Sequence, residues 1–262
     1  MIEFLKESTF AVNEVIYKAW FITKRNYISI IFLSILMFST LSLSSLISLF
    51  IKDVNPILNV LMFLIFIIFY LTFNLSLFKY IFYLLDHEVD NVRIIDTLPS
   101  KEQIVKFLLA NFYFTLSILT VYVGVILIAF PFIYTGIKMQ YITGVAISVG
   151  LVAIFITWIR ISFFPFFIID RDASPFMSLK LSLAITKGNF TKILILLVFL
   201  AAFQVLYIFL NYVGWPFTAT IVNILSSFVI VPLSTVALTI AYRQMMEDYK
   251  GDQDPEILKN II

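Results

Sequence analysis

The 262 residues contain no cysteine. Disulfides, thiolate metal sites and cysteine nucleophiles are thereby excluded. Histidine is almost missing: the single copy, His87, stands in a polar loop. There is no His-Glu-x-x-His pair, no intramembrane aspartate pair, and no histidine inside an apolar run to activate a serine. Glycine occurs only 7 times and never as a phosphate-cradling loop, which removes ATP hydrolysis. Charge is scarce as well. Only 13% of residues are Asp, Glu, Lys or Arg, too few to clothe a soluble domain. The net charge of +2 comes from basic residues beside apolar runs rather than in a patch, so nucleic acid is not an expected partner.

What fills the chain instead is apolar. Hydrophobic residues make up 61%, and the mean hydropathy is +1.03. A helix needs about 20 apolar residues to cross a hydrocarbon core about 30 Å thick. The fold class read from this is all-α: a polytopic membrane bundle, a single integral membrane domain over residues 1–262, with six spans arranged as three hairpins. The spans fall at about 27–51, 57–85, 108–133, 141–168, 190–212 and 217–242, each hairpin preceded by an interfacial helix or segment on the cytoplasmic side. Residues 8–24 read as one such surface helix: Asn13, Glu14, Tyr17, Lys18 and Lys24 share a face, opposite Val12, Val15, Ile16, Ala19 and Trp20. Glu14 precedes Lys18 by four residues, the favourable order for an ion pair. Packing of this helix on the spans is the plainer alternative, and the two are compatible. No removable signal peptide is expected.

The apolar pattern of the third span persists from Ile104 to Ile137, too long for one straight crossing. Its first turns are therefore expected at the interface, and Pro131 is expected to kink or end it. Ser100 and Gln103 have capping-box spacing at its start. The loop Asp86-His87-Glu88-Val89-Asp90 offers metal-type side chains, but consecutive residues do not converge on one ion, so no metal site and no cofactor are implied. Residues 246–262 form a polar tail, with a short helix start at Asp254-Pro255.

Of the 18 lysines and arginines, only Lys52 and Lys138 sit in the loops after spans one, three and five, and Arg160 lies within span four. The remainder flank the opposite ends, so both termini are expected on the cytoplasmic side of the cell (inner) membrane.

The segment from Trp158 to Phe190 carries the most information. Arg160 lies in an apolar run, Pro165 follows, and Asp170 and Asp172 mark the exit. Ser174-Pro175 reads as an N-cap with proline at the first helical position, and Gly188 as a left-handed stop, giving an elbow helix over 175–187. If span four runs straight, Arg160 lies roughly 14 Å inside the exit. An arginine at that depth faces the bundle interior or snorkels to the interface. Its candidate partners are Asp170, Asp172, Asn74, Asn111, Gln204, Asn223 or a lipid phosphate. An internal repeat is also visible: Thr23-Lys24-Arg25-Asn26 matches Thr186-Lys187-Gly188-Asn189. This sets Val15, Ala19 and Thr23 against Ser178, Ser182 and Thr186, and the stretch around Ser100 and Ile104 is a weaker third copy.

Arg160, Pro165, Asp170, Ser182, Thr186, Gly188 and Asn189, followed by Pro232 and Ala241-Tyr242-Arg243, form a pattern that resembles a broad family of six-span bacterial membrane proteins. It is similar to the membrane domain attached to some glycerophosphoryl diester phosphodiesterases. The resemblance implies a helical membrane module. Hydrolysis in the fused proteins belongs to a separate soluble domain with no counterpart expected here, so no catalytic residue is carried over.

All 16 acidic residues lie in loops, termini or interfacial segments, which disfavours coupled transport as well as intramembrane hydrolysis. Two functions remain. One is a non-enzymatic module that binds lipid headgroups, a partner membrane protein or a second copy of itself, with Arg160, Asp170, Lys180, Lys187 and Asn189 as contacts. The other is a passive transporter or channel for a small or amphiphilic solute. Its path would use Asn74, Asn111, Gln204, Asn223 and the serines 39, 42, 44, 45 and 48 of span one, although small residues of that kind also serve close helix packing.

Overall fold

The computed structural model describes residues 10–51, 55–86, 94–135 and 138–247. Ten α-helices follow in order: α1 (Val12–Arg25), α2 (Tyr27–Ile51), α3 (Pro56–Asp86), α4 (Lys101–Ala129), α5 (Met139–Ile161), α6 (Phe164–Arg171), α7 (Pro175–Lys187), α8 (Phe190–Tyr212), α9 (Pro216–Leu225) and α10 (Val231–Glu247). Among the described residues there is no strand. Six helical stretches are long and apolar enough to cross a membrane: Tyr27–Ile51, Pro56–Asp86, Lys101–Thr135, Met139–Arg171, Phe190–Tyr212 and Pro216–Met246. Their outward faces are covered by large apolar side chains that water would not tolerate and lipid would. The protein is a multi-pass helical membrane protein.

Each long helix begins or ends where its sequence dictates. Ser100 accepts from the Gln103 amide while Gln103 Oε1 accepts from the Ser100 amide, completing the expected capping box of α4. Asn55 Oδ1 accepts from the amides of Ile57 and Leu58 and so starts α3. The helix α4 stops at Ala129, and the 3-10 segment Phe130–Thr135 carries Pro131. The loop residues Lys52 and Asp53 and the tail beyond Glu247 lie outside the described residues, as do His87, Glu88 and Asp90.

Spans four and six are interrupted. The expectation of one helix over 141–168 fails at Ile161, where the chain turns through Ser162-Phe163 and restarts as α6. Proline explains it: Pro165 has no amide to offer the Ile161 carbonyl one turn back. In span six, Pro232 cannot donate to the Phe228 carbonyl, and the preceding residues Ser226–Ile230 widen into a π-helix. The Phe228 oxygen accepts instead from the hydroxyl of Tyr27, at 3.1 Å.

Consecutive spans pack on each other, α2 on α3, α4 on α5 and α8 on α9. Contacts that tie the three pairs together concentrate at the end where α1 and α7 lie. Every described charged residue except Lys138 is at or beside that end, here termed the charged end. There α1 lies on α10, and α7 fits against α4, α5 and α6. The aromatic centre consists of Phe78, Phe82, Phe163, Phe166, Phe167 and Tyr242, with ring centroids 4.9–5.8 Å apart. A second cluster, with Leu75, Phe107, Ala110, Ile161, Phe164, Ile168 and Leu179, joins α3, α4, α5, α6 and α7. No residue is buried in the most apolar window of Lys101–Thr135, whereas 44% are in that of Pro216–Met246. The last span is therefore the central post and the third is peripheral.

Candidate functional site

The break in span four exposes backbone groups that must find partners in a dry environment. The Arg160 carbonyl, deprived of its helical donor, accepts from the hydroxyls of Ser182 (2.8 Å) and Thr186 (3.1 Å). The Phe163 amide donates to Ser182 Oγ at 3.0 Å. Ser178, Ser182 and Thr186 are fully buried, so the small-residue stripe of α7 is the face that repairs the break. On α1 the stripe Val15, Ala19 and Thr23 is buried too, against a helix without such a break, and the Thr23 hydroxyl has no partner.

Arg160 meets none of the partners proposed for it within the chain. Its guanidinium donates to the Leu183 carbonyl of α7 at 3.1 Å, and its Nε is buried and unpaired. Arg160 stands just before the turn at Ser162-Phe163, against α7. The cap chemistry differs as well. Ser174 occupies the N-cap of α7 with extended backbone, but its hydroxyl makes no capping bond. Gly188 is right-handed, at φ −85°, because the chain passes directly into α8 with the Asn189 amide donating to Thr186. The left-handed residue is Asp172, at φ 50°, a conformation that aspartate tolerates. It ends α6, and its carboxylate meets Lys106 at 2.9 Å.

Asp170 organises an ionic knot at the ends of spans two, four and six. Tyr242 donates its hydroxyl to Asp170 Oδ2 at 3.0 Å, and Arg171 Nε lies 3.3 Å from the same oxygen. Arg243 meets Asp170 Oδ1 at 3.1 Å and both oxygens of Asp86 at 2.6–2.7 Å. The Arg243 guanidinium also lies 4.7 Å from the Phe82 ring centroid, so it holds two carboxylates while resting on the aromatic centre. Half-burial makes these contacts worth more than surface pairs.

Beside the knot is a groove of about 430 Å³, lined by Tyr17, Lys18, Phe21 and Ile22 of α1, Leu85 and Asp86 of α3, and Ile240, Arg243 and Gln244 of α10. Its size falls in the range of small-ligand sites, about 300–1,000 Å³. The expected Glu14–Lys18 ion pair is not formed, and among the described residues Lys18 has no ion-pair partner. Gln244 Oε1 and Arg243 Nε are buried at the groove without a hydrogen bond. Tyr17 and Phe21, 75% and 60% exposed, stand along its α1 rim, and Trp20 is half exposed on the same helix.

The other sequence-derived positions disperse. Lys180 lies over the ring of Phe176, 5.0 Å from its centroid, and Lys187 is exposed at the end of α7. Asn189 is buried, donating to the Ile185 carbonyl at 3.2 Å. Asn74 reaches the Met37 sulfur at 4.0 Å, and Asn111 bonds to the Phe107 carbonyl of its own helix. Gln204 faces outward on α8, and Asn223 is half-buried on α9. None of these four lines the groove, nor the wholly apolar cleft of about 320 Å³ between α4 and α5. In span one, Ser44 is buried while Ser42 and Ser45 face outward.

Sequence reasoning missed Asp86, Lys18 and Gln244 as site residues and noted Tyr242 and Arg243 only within a motif. The signal was that Asp86, Asp170 and Arg243 each close an even-numbered span, two acids and one base at matching positions. No known protein family, curated protein or solved structure matches the chain.

Proposed function

We propose that the protein is a non-enzymatic integral membrane module that binds phospholipid headgroups at its charged end, on the cytoplasmic side. The observation that carries this is the groove beneath α1. It combines an unpaired lysine, the half-exposed Asp86 carboxylate and an apolar wall, at the level where α1 presents Tyr17, Trp20 and Phe21 outward. Exposed aromatics and basic residues at one depth are the usual company of lipid headgroups. The crowding of lysine and arginine at this end supports its cytoplasmic placement. The absence of Asn74, Asn111, Gln204 and Asn223 from the lining of both the groove and the apolar cleft weighs against a solute path.

The buried stripes on α1 and α7 are consistent with an internal repeat in which each surface helix seats on the end of a span, α7 on span four and α1 on span six. The binding groove would then belong to the copy whose surface helix seats on α10, beyond the π-helical segment of span six.

Native mass spectrometry of the full chain extracted with its surrounding lipid, wild type beside Lys18→Glu, tests the reading. Retained phospholipid that is lost on charge reversal is the expected result. A wild type that emerges free of lipid, or a variant that holds it equally well, would sink it.

A further inference from the structure

The groove discriminates by charge pattern, which identifies its ligand more closely; this step rests on the headgroup-binding reading above. A purely anionic headgroup meets a conflict here. Lys18 attracts it, but Asp86 lies on the same wall with a side chain 48% exposed. Arg243 does not remove the conflict, because its guanidinium is already shared between Asp86 and Asp170. The site thus offers one free cation and one carboxylate with lone pairs to spare. A complementary ligand brings a negative group for Lys18 and, a few ångströms away, a positive group with N–H donors for Asp86.

We infer that the groove selects a phospholipid with a primary ammonium headgroup, of the phosphatidylethanolamine type. The phosphate is held by Lys18 and the Tyr17 hydroxyl, and the ammonium by Asp86. The acyl chains leave across Phe21, Ile22 and Leu85. A trimethylated headgroup of equal charge has no N–H to donate to the Asp86 carboxylate, so the charge-assisted hydrogen bond is lost. A glycerol headgroup supplies donors but no positive charge for Asp86. Those apolar walls commit the site to a membrane lipid rather than to the free headgroup.

The test uses delipidated full-length protein, with dissociation constants for phosphatidylethanolamine, phosphatidylcholine and phosphatidylglycerol read by native mass spectrometry. The wild type, Lys18→Gln and Asp86→Asn are compared, with thermal unfolding as the folding control; Asp86→Asn keeps the Arg243–Asp170 pair. Phosphatidylethanolamine is expected to bind about tenfold more tightly than phosphatidylcholine, a difference of about 1.4 kcal/mol. Asp86→Asn should erase that preference, and Lys18→Gln should weaken all three lipids. Equal binding of the first two lipids, or a preference for phosphatidylglycerol, with Lys18 dependence intact, overturns the headgroup assignment and leaves headgroup binding standing. No Lys18-dependent binding of any lipid overturns both. Free phosphoethanolamine that displaces the lipid at equal concentration overturns the membrane lipid as the ligand.

Discussion

The two ends of the bundle obey different rules. At the charged end, side chains from all six spans and both surface helices interlock: Phe82, Phe166 and Tyr242 touch ring to ring, and Arg243 joins two carboxylates from two other spans. Toward the other end, burial thins to scattered positions such as Thr40, Ser44, Gly150, Leu210 and Ala219, nearly all small. Specific polar contacts hold the first region together. The second relies on helix-to-helix contact within each pair, because lipid tails are as apolar as the side chains and provide no hydrophobic drive for the pairs to merge. Stability and binding chemistry should therefore both reside in the charged half, with the far half tolerant.

The sharpest way to break this contrast is to remove its central cation. Arg243→Leu leaves Asp86 and Asp170 facing each other without the guanidinium between them. It should cost about 2–3 kcal/mol, less than loss of one partner from a fully buried pair, because Arg243 and Asp86 are partly exposed. Unfolding in mixed micelles, followed by tryptophan fluorescence, would register the shift. A variant as stable as wild type would mean that the knot is ornamental and that the aromatic packing alone holds this end.

A smaller effect is expected from Ser182→Ala. The Phe163 amide then has no acceptor, while the Arg160 carbonyl keeps Thr186. One buried donor left unmade costs about 1–3 kcal/mol. The same unfolding assay checks it, and Ser182→Thr, which restores a hydroxyl, should recover part of the loss. Tyr27→Phe removes the donor to the Phe228 carbonyl freed by Pro232, but this group is partly exposed, so about 1 kcal/mol is expected.

These residues also show how far the sequence could be read. The six spans, the capping box at Ser100 and the end of the third span near Pro131 follow from rules that act within one turn of helix, and those rules are visible in a linear string. The role of Ser178, Ser182 and Thr186 was half visible: small residues at four-residue spacing mark a close-packing face. What they pack against depends on a break elsewhere in the chain. Pro165 was in plain view, but the break before it did not reveal that Arg160 would meet the Leu183 carbonyl of α7 rather than a polar side chain of another span. The knot was the least legible. Asp86, Asp170 and Arg243 are separated by more than 70 residues, and only the convergence of three helix ends brings them together. Lys18 was read as half of a helical ion pair because Glu14 lay at the right spacing. Lys18 instead lines the groove across α10 without an ion-pair partner among the described residues.

The least effect, and the cleanest test of the far half, is Gly150→Ala. A small residue facing a neighbouring transmembrane helix is commonly taken as essential to close approach, which predicts disruption. The geometry predicts otherwise. Gly150 is buried on α5, but a methyl group built there would meet only the Val125 Cγ1 of α4, at 3.7 Å, an ordinary van der Waals contact. Its φ is helical, so alanine brings no backbone strain and removes the entropic cost of glycine within a helix, about 0.5–1 kcal/mol. The variant should therefore unfold at the same denaturant concentration as wild type or slightly above it. Clear destabilisation would show that α4 and α5 are held as tightly as the charged end, and the division of the molecule into a specific half and a tolerant half would fail at that contact.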